Sequence, residues 1–241
     1  MSSSQTPPFT GFRREAIQFL ADLAANNDRA WFNPRKADYE RLLKEPLAAF
    51  VAALADRFAA RGLPLLADPA RSPFRIYRDV RFAKDKSPYK TNIGASFPWT
   101  EGGAAPAGGR SAEGEGRHAV GGYFHLEPGE IYVGGGMWHP DPPSLGAFRA
   151  AVINDRERVA QALEDPDFRR TFGSVNGDQL KRVPAGYPAD HPDAELLKLK
   201  DVVFGRRLAD ADVTTAALPD LVTDALAAAL PVFRLLAALP A

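Results

Sequence analysis

Residues 71–90 concentrate positive charge. Arg71, Arg75, Arg78, Arg81, Lys84, Lys86 and Lys90 stand there against Asp79 and Asp85, a local charge of +5 in a chain whose 30 Lys+Arg and 30 Asp+Glu cancel. Guanidinium groups hold phosphate or carboxylate through paired hydrogen bonds, and lysine ammonium groups add mobile point charge. Arg78, Arg81, Lys86, Tyr89 and Lys90 are therefore the central candidates for gripping a phosphate- or carboxylate-bearing small ligand, with the Tyr77 and Tyr89 rings placed to stack or donate beside it. Should a reaction accompany binding, Asp79 and His191 are the candidate proton carriers. The alternative is a non-catalytic module, in which the same cations recognise an acidic protein surface or a nucleic-acid backbone. A third reading is architectural: Arg78 pairs with an acid from a helix, and the loop lysines are solvated or guard a sheet edge.

The other constellations are weaker. His125 and Glu127 fall on one face of a strand, and His139 with Asp141 follows a glycine triplet, so a metal site is arithmetically open. The spacing is not diagnostic, ordinary hydrogen-bonded histidines are the expectation, and no metal or cofactor is predicted. His191 lies between Asp190 and Pro192 and is followed by Asp193. It reads either as a base oriented by a carboxylate or, preferably, as part of a cap in which Asp190 or Asp193 serves free helical N–H groups. Gly134, Gly135 and Gly136 could form an anion-binding nest, although close approach of another backbone is the better reading. Trp31 and Phe32 could rim a cleft, but more simply lock the first two helices together.

Hydrophobic periodicity supplies the elements that must position these residues. Apolar spacing predicts a helix near 9–25, then a second from the Asn33-Pro34 signal to Gly62, kinked or split by Pro46. From Phe74 the period becomes two: residues 74–82 and 89–97 read as a hairpin-like pair joined by a cationic connection. Strands 122–127 and 130–133 follow, reversed at Pro128-Gly129. Ser144 is placed to cap a helix running to Leu163. Shorter helical pieces are expected at 167–172 and 193–199, and a last helix over 214–239 with a kink at Pro231. Tight reversals need no crossover helices, so the fold class is α+β: a central antiparallel sheet of about four or more strands flanked by N-terminal and C-terminal helices. Residues 1–8 read as a disordered tail, 9–241 as one domain, and the glycine-rich stretch 100–117 as a flexible insert.

Composition excludes several classes. Zero net charge argues against a general polyanion sponge, and the absence of cysteine removes disulfides, thiolate nucleophiles and cysteine-based metal sites. The chain opens without a basic, then apolar, secretory signal, and its most apolar stretch, 225–239, is broken by Pro231 and Arg234. A cytoplasmic location and no membrane partner are expected, and oligomeric state is left open. Phosphate-loop, dinucleotide-fold, serine-hydrolase-elbow, zincin and calcium-loop motifs are all missing.

Several runs nevertheless resemble a known family. They are Asn26-Asn27-Asp28-Arg29-Ala30-Trp31-Phe32, the spaced Tyr39 and Pro46, and Arg78-Asp79-Val80-Arg81-Phe82-Ala83-Lys84-Asp85-Lys86-Ser87-Pro88-Tyr89-Lys90. To these add Gly122 to Gly129, Gly134 to Trp138 with Pro140, and Leu180 to Tyr187 through His191-Pro192. Over nearly its whole length the chain resembles the conserved hypothetical proteins called domain of unknown function 2461. That resemblance implies no established activity. Ala83 and the insert at 100–117 depart from the usual pattern, serine being common at the first position.

Overall fold

The computed structural model describes residues 7–81, 83–101 and 120–240. The expected tail and insert lie largely outside these residues. Helix α1 covers Arg14–Ala25, shorter than the apolar spacing predicts. Phe9 and Phe12 serve the core from an extended segment instead. Phe12 donates its N–H to the Val213 carbonyl at 2.8 Å, and Gly11 sits at φ 105° where an added Cβ would lie 2.3 Å from the Thr214 oxygen. Only glycine allows that approach.

The second helical stretch starts earlier than expected, at Arg29, because the Asp28 carboxylate accepts the Trp31 N–H and caps α2, Arg29–Phe32. Asn33-Pro34 then forms a 3₁₀ turn inside the stretch rather than its beginning. After α3, Lys36–Tyr39, the chain widens into a π turn over Glu40–Lys44 and continues as α4, Glu45–Arg61. Pro46 has no N–H to return to an α-helical carbonyl, and the widened turn immediately before it absorbs the misfit. Gly62 ends the helix in the left-handed conformation, φ 61°.

Four antiparallel strands form the sheet in chain order: β1 Ile93–Pro98, β2 Gly121–Glu127, β3 Glu130–Met137 and β4 Val202–Arg207. One face is the core side. Phe124 lies against Phe12 and Phe50, Phe97 against Phe58, and Phe204 against Phe168 and Phe233. The register puts Gly94, Ser96, Tyr123, His125, Glu127, Tyr132, Gly205 and Arg207 on the other face.

Of the predicted strand 74–82, residues 74–81 do not form the regular strand their alternation predicts, and Phe82 lies outside the described residues. Phe74 and Ser72 bond to β1 at Gly94 and Ser96, after which Ile76 and Arg78 change partner to Lys90 and Pro88. Neither partnership runs long enough to build a ladder, so only isolated bridges remain, among them Tyr77 with Tyr89. The alternation of burial survives: Ile76 is buried, Arg75 and Tyr77 exposed. The glycine triplet is part of β3, which is longer than expected. An added Cβ on Gly135 would lie 2.7 Å from the Phe233 ring, and one on Gly122 would lie 3.1 Å from Leu226. These glycines admit the C-terminal helices to the sheet, the close-approach reading.

Asp141, not Ser144, caps α5, Pro142–Asn154; its carboxylate accepts the Ser144 N–H at 2.9 Å. The chain breaks at Asp155 into α6, Arg156–Leu163, followed by α7, Pro166–Phe172, and the short α8, Ala194–Leu197. Beyond β4 come α9, Asp210–Val213, α10, Leu218–Ala228, and α11, Leu230–Ala237, with the break beside Pro231. Among the described residues no helix is long and apolar enough to cross a membrane.

Candidate functional site

The cationic segment folds into a compact knuckle. Two aspartates build it, each accepting the N–H two residues on: Asp79 from Arg81 at 3.1 Å and Asp85 from Ser87 at 2.9 Å. Each also pairs with an arginine. Arg78 donates to Asp85 and, at 3.3 Å, to the Ser87 carbonyl, and Arg81 grips Asp79 at 2.7–3.1 Å through Nε and Nη2. The Lys86 ammonium donates to the Val80 and Arg81 carbonyls at 2.9 and 3.4 Å. Hydrogen bonding by Arg81 holds the Asp79 carboxyl down to about 2, and the Ser87 hydroxyl, then Arg78, holds the Asp85 carboxyl below its ordinary value. An aspartate so stabilised as the anion is a poor proton acceptor near neutrality.

The five sequence candidates are thus together in space, in different states. Tyr89 is only 2% exposed, its ring stacked 4.1 Å from Phe32, so it anchors the knuckle from below. Asn27 clamps the same residue through its backbone. The Lys90 ammonium lies 5.1 Å from the Phe74 ring centre. Arg75 and Lys84 are exposed and, among the described residues, neither ion-paired nor hydrogen-bonded through their side chains. Tyr77 is 49% exposed, its ring 5.5 Å from that of Tyr89. Trp31 contacts Phe19 at 5.5 Å and Phe32 is buried, so this pair locks the helices. Tyr39, below the knuckle, is pushed up to about 12, chiefly by burial and further by Tyr77.

The histidines do not meet. His125, 6% exposed, belongs to the sheet face: its ring stacks on Tyr132 at 4.7 Å, and its Nδ1 lies 3.0 Å from the Tyr123 hydroxyl and 3.3 Å from the Asn92 amide. Glu127 Oε2 is 3.4 Å from Nε2 but out of line for a hydrogen bond, and Thr91 donates to the other oxygen of that carboxylate. Burial favours the neutral ring and pushes its pKa down, against the upward pull of Glu127. His139 pairs with Asp201, not with Asp141, which is occupied in capping. The His191 Nδ1 accepts the Asp193 N–H at 3.1 Å just ahead of α8, while the Asp193 carboxylate binds Arg156 at 2.5 Å. No side chain caps α8, so the expected aspartate cap is not formed. Among the described residues no three or more His, Asp or Glu side chains gather as metal ligands.

Sequence reasoning missed Asn92, Tyr123 and Tyr132 as partners of His125, and Asp201 as the partner of His139. For Tyr123 the two-residue spacing was a usable signal. Asp201 is 62 residues from His139, and no local pattern announces it.

No curated protein and no solved structure matches the chain. Residues 15–234 match the family model described as a conserved hypothetical protein, DUF2461, and the chain belongs to that family.

Proposed function

We propose that this protein is a non-catalytic binding module whose cationic knuckle takes a phosphate-bearing ligand, and that the ligand is extended, the backbone of a single-stranded nucleic acid, rather than a small molecule. The observation that carries this reading is Tyr77, exposed, beside Arg75 and Arg78 in the chain, and backed by Tyr89. An aromatic platform interleaved with cations is what a single strand requires: the ring stacks a base while the charges follow the phosphates. Arg75 and Lys84 are available for that role. Arg78, Arg81 and Lys86 hold the knuckle in shape, and a phosphate that displaced Asp79 or Asp85 would have to compete with ready-made pairs.

A small-anion pocket has less support, because the depression described below is lined by none of the knuckle's cations. The low pKa of Asp79, and a His191 Nδ1 already engaged by the Asp193 N–H, likewise favour binding without proton transfer. A cytoplasmic location accords with such a ligand and with a chain free of cysteine. Fluorescence anisotropy of a labelled oligouridylate over a salt series tests the proposal. Affinity that falls steeply with salt and ignores base sequence supports it; saturable binding of inorganic phosphate or a mononucleotide in place of the oligomer overturns it.

A further inference from the structure

At the far end of β3 the chain makes an unusual turn. His139 has φ 49°, the left-handed region a non-glycine residue rarely occupies, and Asp201 holds it there. This aspartate is 4% exposed, and its Oδ1 accepts both the His139 backbone N–H at 2.6 Å and the ring Nδ1–H at 3.0 Å. The support behind it is rigid. Val203, two residues on, exchanges backbone hydrogen bonds of 2.6 and 3.0 Å with Asn176, and Gly177 is pressed so close that an added Cβ would lie 2.3 Å from the Asp201 carbonyl oxygen. With Nδ1–H committed to the carboxylate, Nε2 is left as an acceptor on the open side of a ring that is mostly exposed. Trp138, 59% exposed, stacks on that ring at 4.0 Å and presents its indole beside it.

Trp138, His139, Asn176, Asp178 and Val203 line a depression of about 450 Å³ around this corner, within the range of small-molecule sites. Two carboxylates belong to it: Asp178, which lies 3.6 Å from Lys200, and Asp201, whose Oδ1 is engaged by His139; among the described residues no guanidinium lines it. The Asn176 side-chain amide has no hydrogen-bond partner among the described residues. An exposed indole face, a fixed imidazole acceptor, a free amide and carboxylate acceptors suit a hydroxylated ring, which offers an apolar face to the indole and hydroxyl groups to the polar rim. We propose that the Trp138–His139–Asp201 corner is a second binding site, separate from the knuckle, for a small hydroxylated ring compound of the sugar class. The role assigned to His139 Nε2 is to accept a hydrogen bond from one ligand hydroxyl, and that of Asp201 is to position the imidazole.

The test is titration of the full chain with ribose, glucose, choline and inorganic phosphate. Tryptophan emission and the ¹⁵N resonance of His139 Nε2 are followed together. The expected result is a saturating response of both signals to ribose or glucose on one curve, with affinity at least about tenfold weaker in Trp138→Ala and in His139→Asn. Asparagine tolerates the left-handed backbone, so the second variant keeps the turn while losing Nε2. No response to either sugar, a response to choline or phosphate alone, or sugar affinity unchanged in both variants would overturn the proposal.

Discussion

Asn27 and Tyr89, 62 residues apart, are joined by a reciprocal pair of hydrogen bonds: the Asn27 amide donates to the Tyr89 carbonyl at 2.9 Å and accepts the Tyr89 N–H at 3.1 Å. This clamp fastens the cationic knuckle to the helical stretch through backbone, independently of its charges. Asn27→Ala leaves a partly buried N–H and C=O without partners and is expected to cost about 2 kcal/mol, read from urea unfolding. It is also expected to weaken oligonucleotide binding although no charge is lost.

The internal pairs of the knuckle give a second prediction. Arg78→Ala combined with Lys86→Ala frees Asp85 and the carbonyls of Val80 and Arg81. Exposed pairs contribute little to global stability, so the melting temperature should move only slightly. Amide exchange over residues 79–87 should accelerate markedly, and oligonucleotide affinity should fall. A melting temperature that collapses instead would make these pairs part of the core architecture.

Gly135 tests the packing of α11 on the sheet. Its Cβ position lies 2.6 Å from the Gly121 oxygen as well as against Phe233, so Gly135→Ala forces backbone or ring to move. A loss of roughly 1–3 kcal/mol is expected in denaturant unfolding. Trimming the ring with Phe233→Leu should recover only part of it, because the clash with the oxygen remains.

His125 supplies a pH dependence whose sign follows from its buried, neutral ring. Below about pH 6.5 the unfolded chain takes up a proton that the folded chain refuses, so stability falls as pH drops through that value, until the lowered folded pKa is reached. In His125→Asn the slope of unfolding free energy against pH should shrink between about pH 7 and 5, by at most about 1.4 kcal/mol per pH unit. Identical slopes in the two proteins would show that the ring titrates freely in the folded state.

Much of the fold was legible because periodicity and punctuation are local. The α+β class, the Gly62 stop, the Pro128-Gly129 reversal and the break near Pro231 each follow from neighbouring residues. The misreadings share one cause, a distant partner that overrides local pattern. Alternation at 74–82 suggested a strand, but the segment changes partners midway. Val202–Arg207 is not read as the fourth strand, since only its first half is buried and three exposed residues follow. Of the candidate site, the cationic concentration was visible in composition. The architectural reading pairs Arg78 with a helix acid; that Asp79 and Asp85 turn back onto Arg81 and Arg78 instead depends on turn geometry, which composition does not carry.

The central claim, that the knuckle follows a phosphate backbone, is tested most directly by the salt slope of oligouridylate binding in the full chain and in Arg75→Ala/Lys84→Ala. Each phosphate contact on a single strand contributes about 0.7 to the slope of log K against log salt. Loss of two contacts predicts a slope shallower by about 1.4, with unfolding unchanged. A slope identical in the two proteins, or no binding of the oligomer even at low salt, would contradict it.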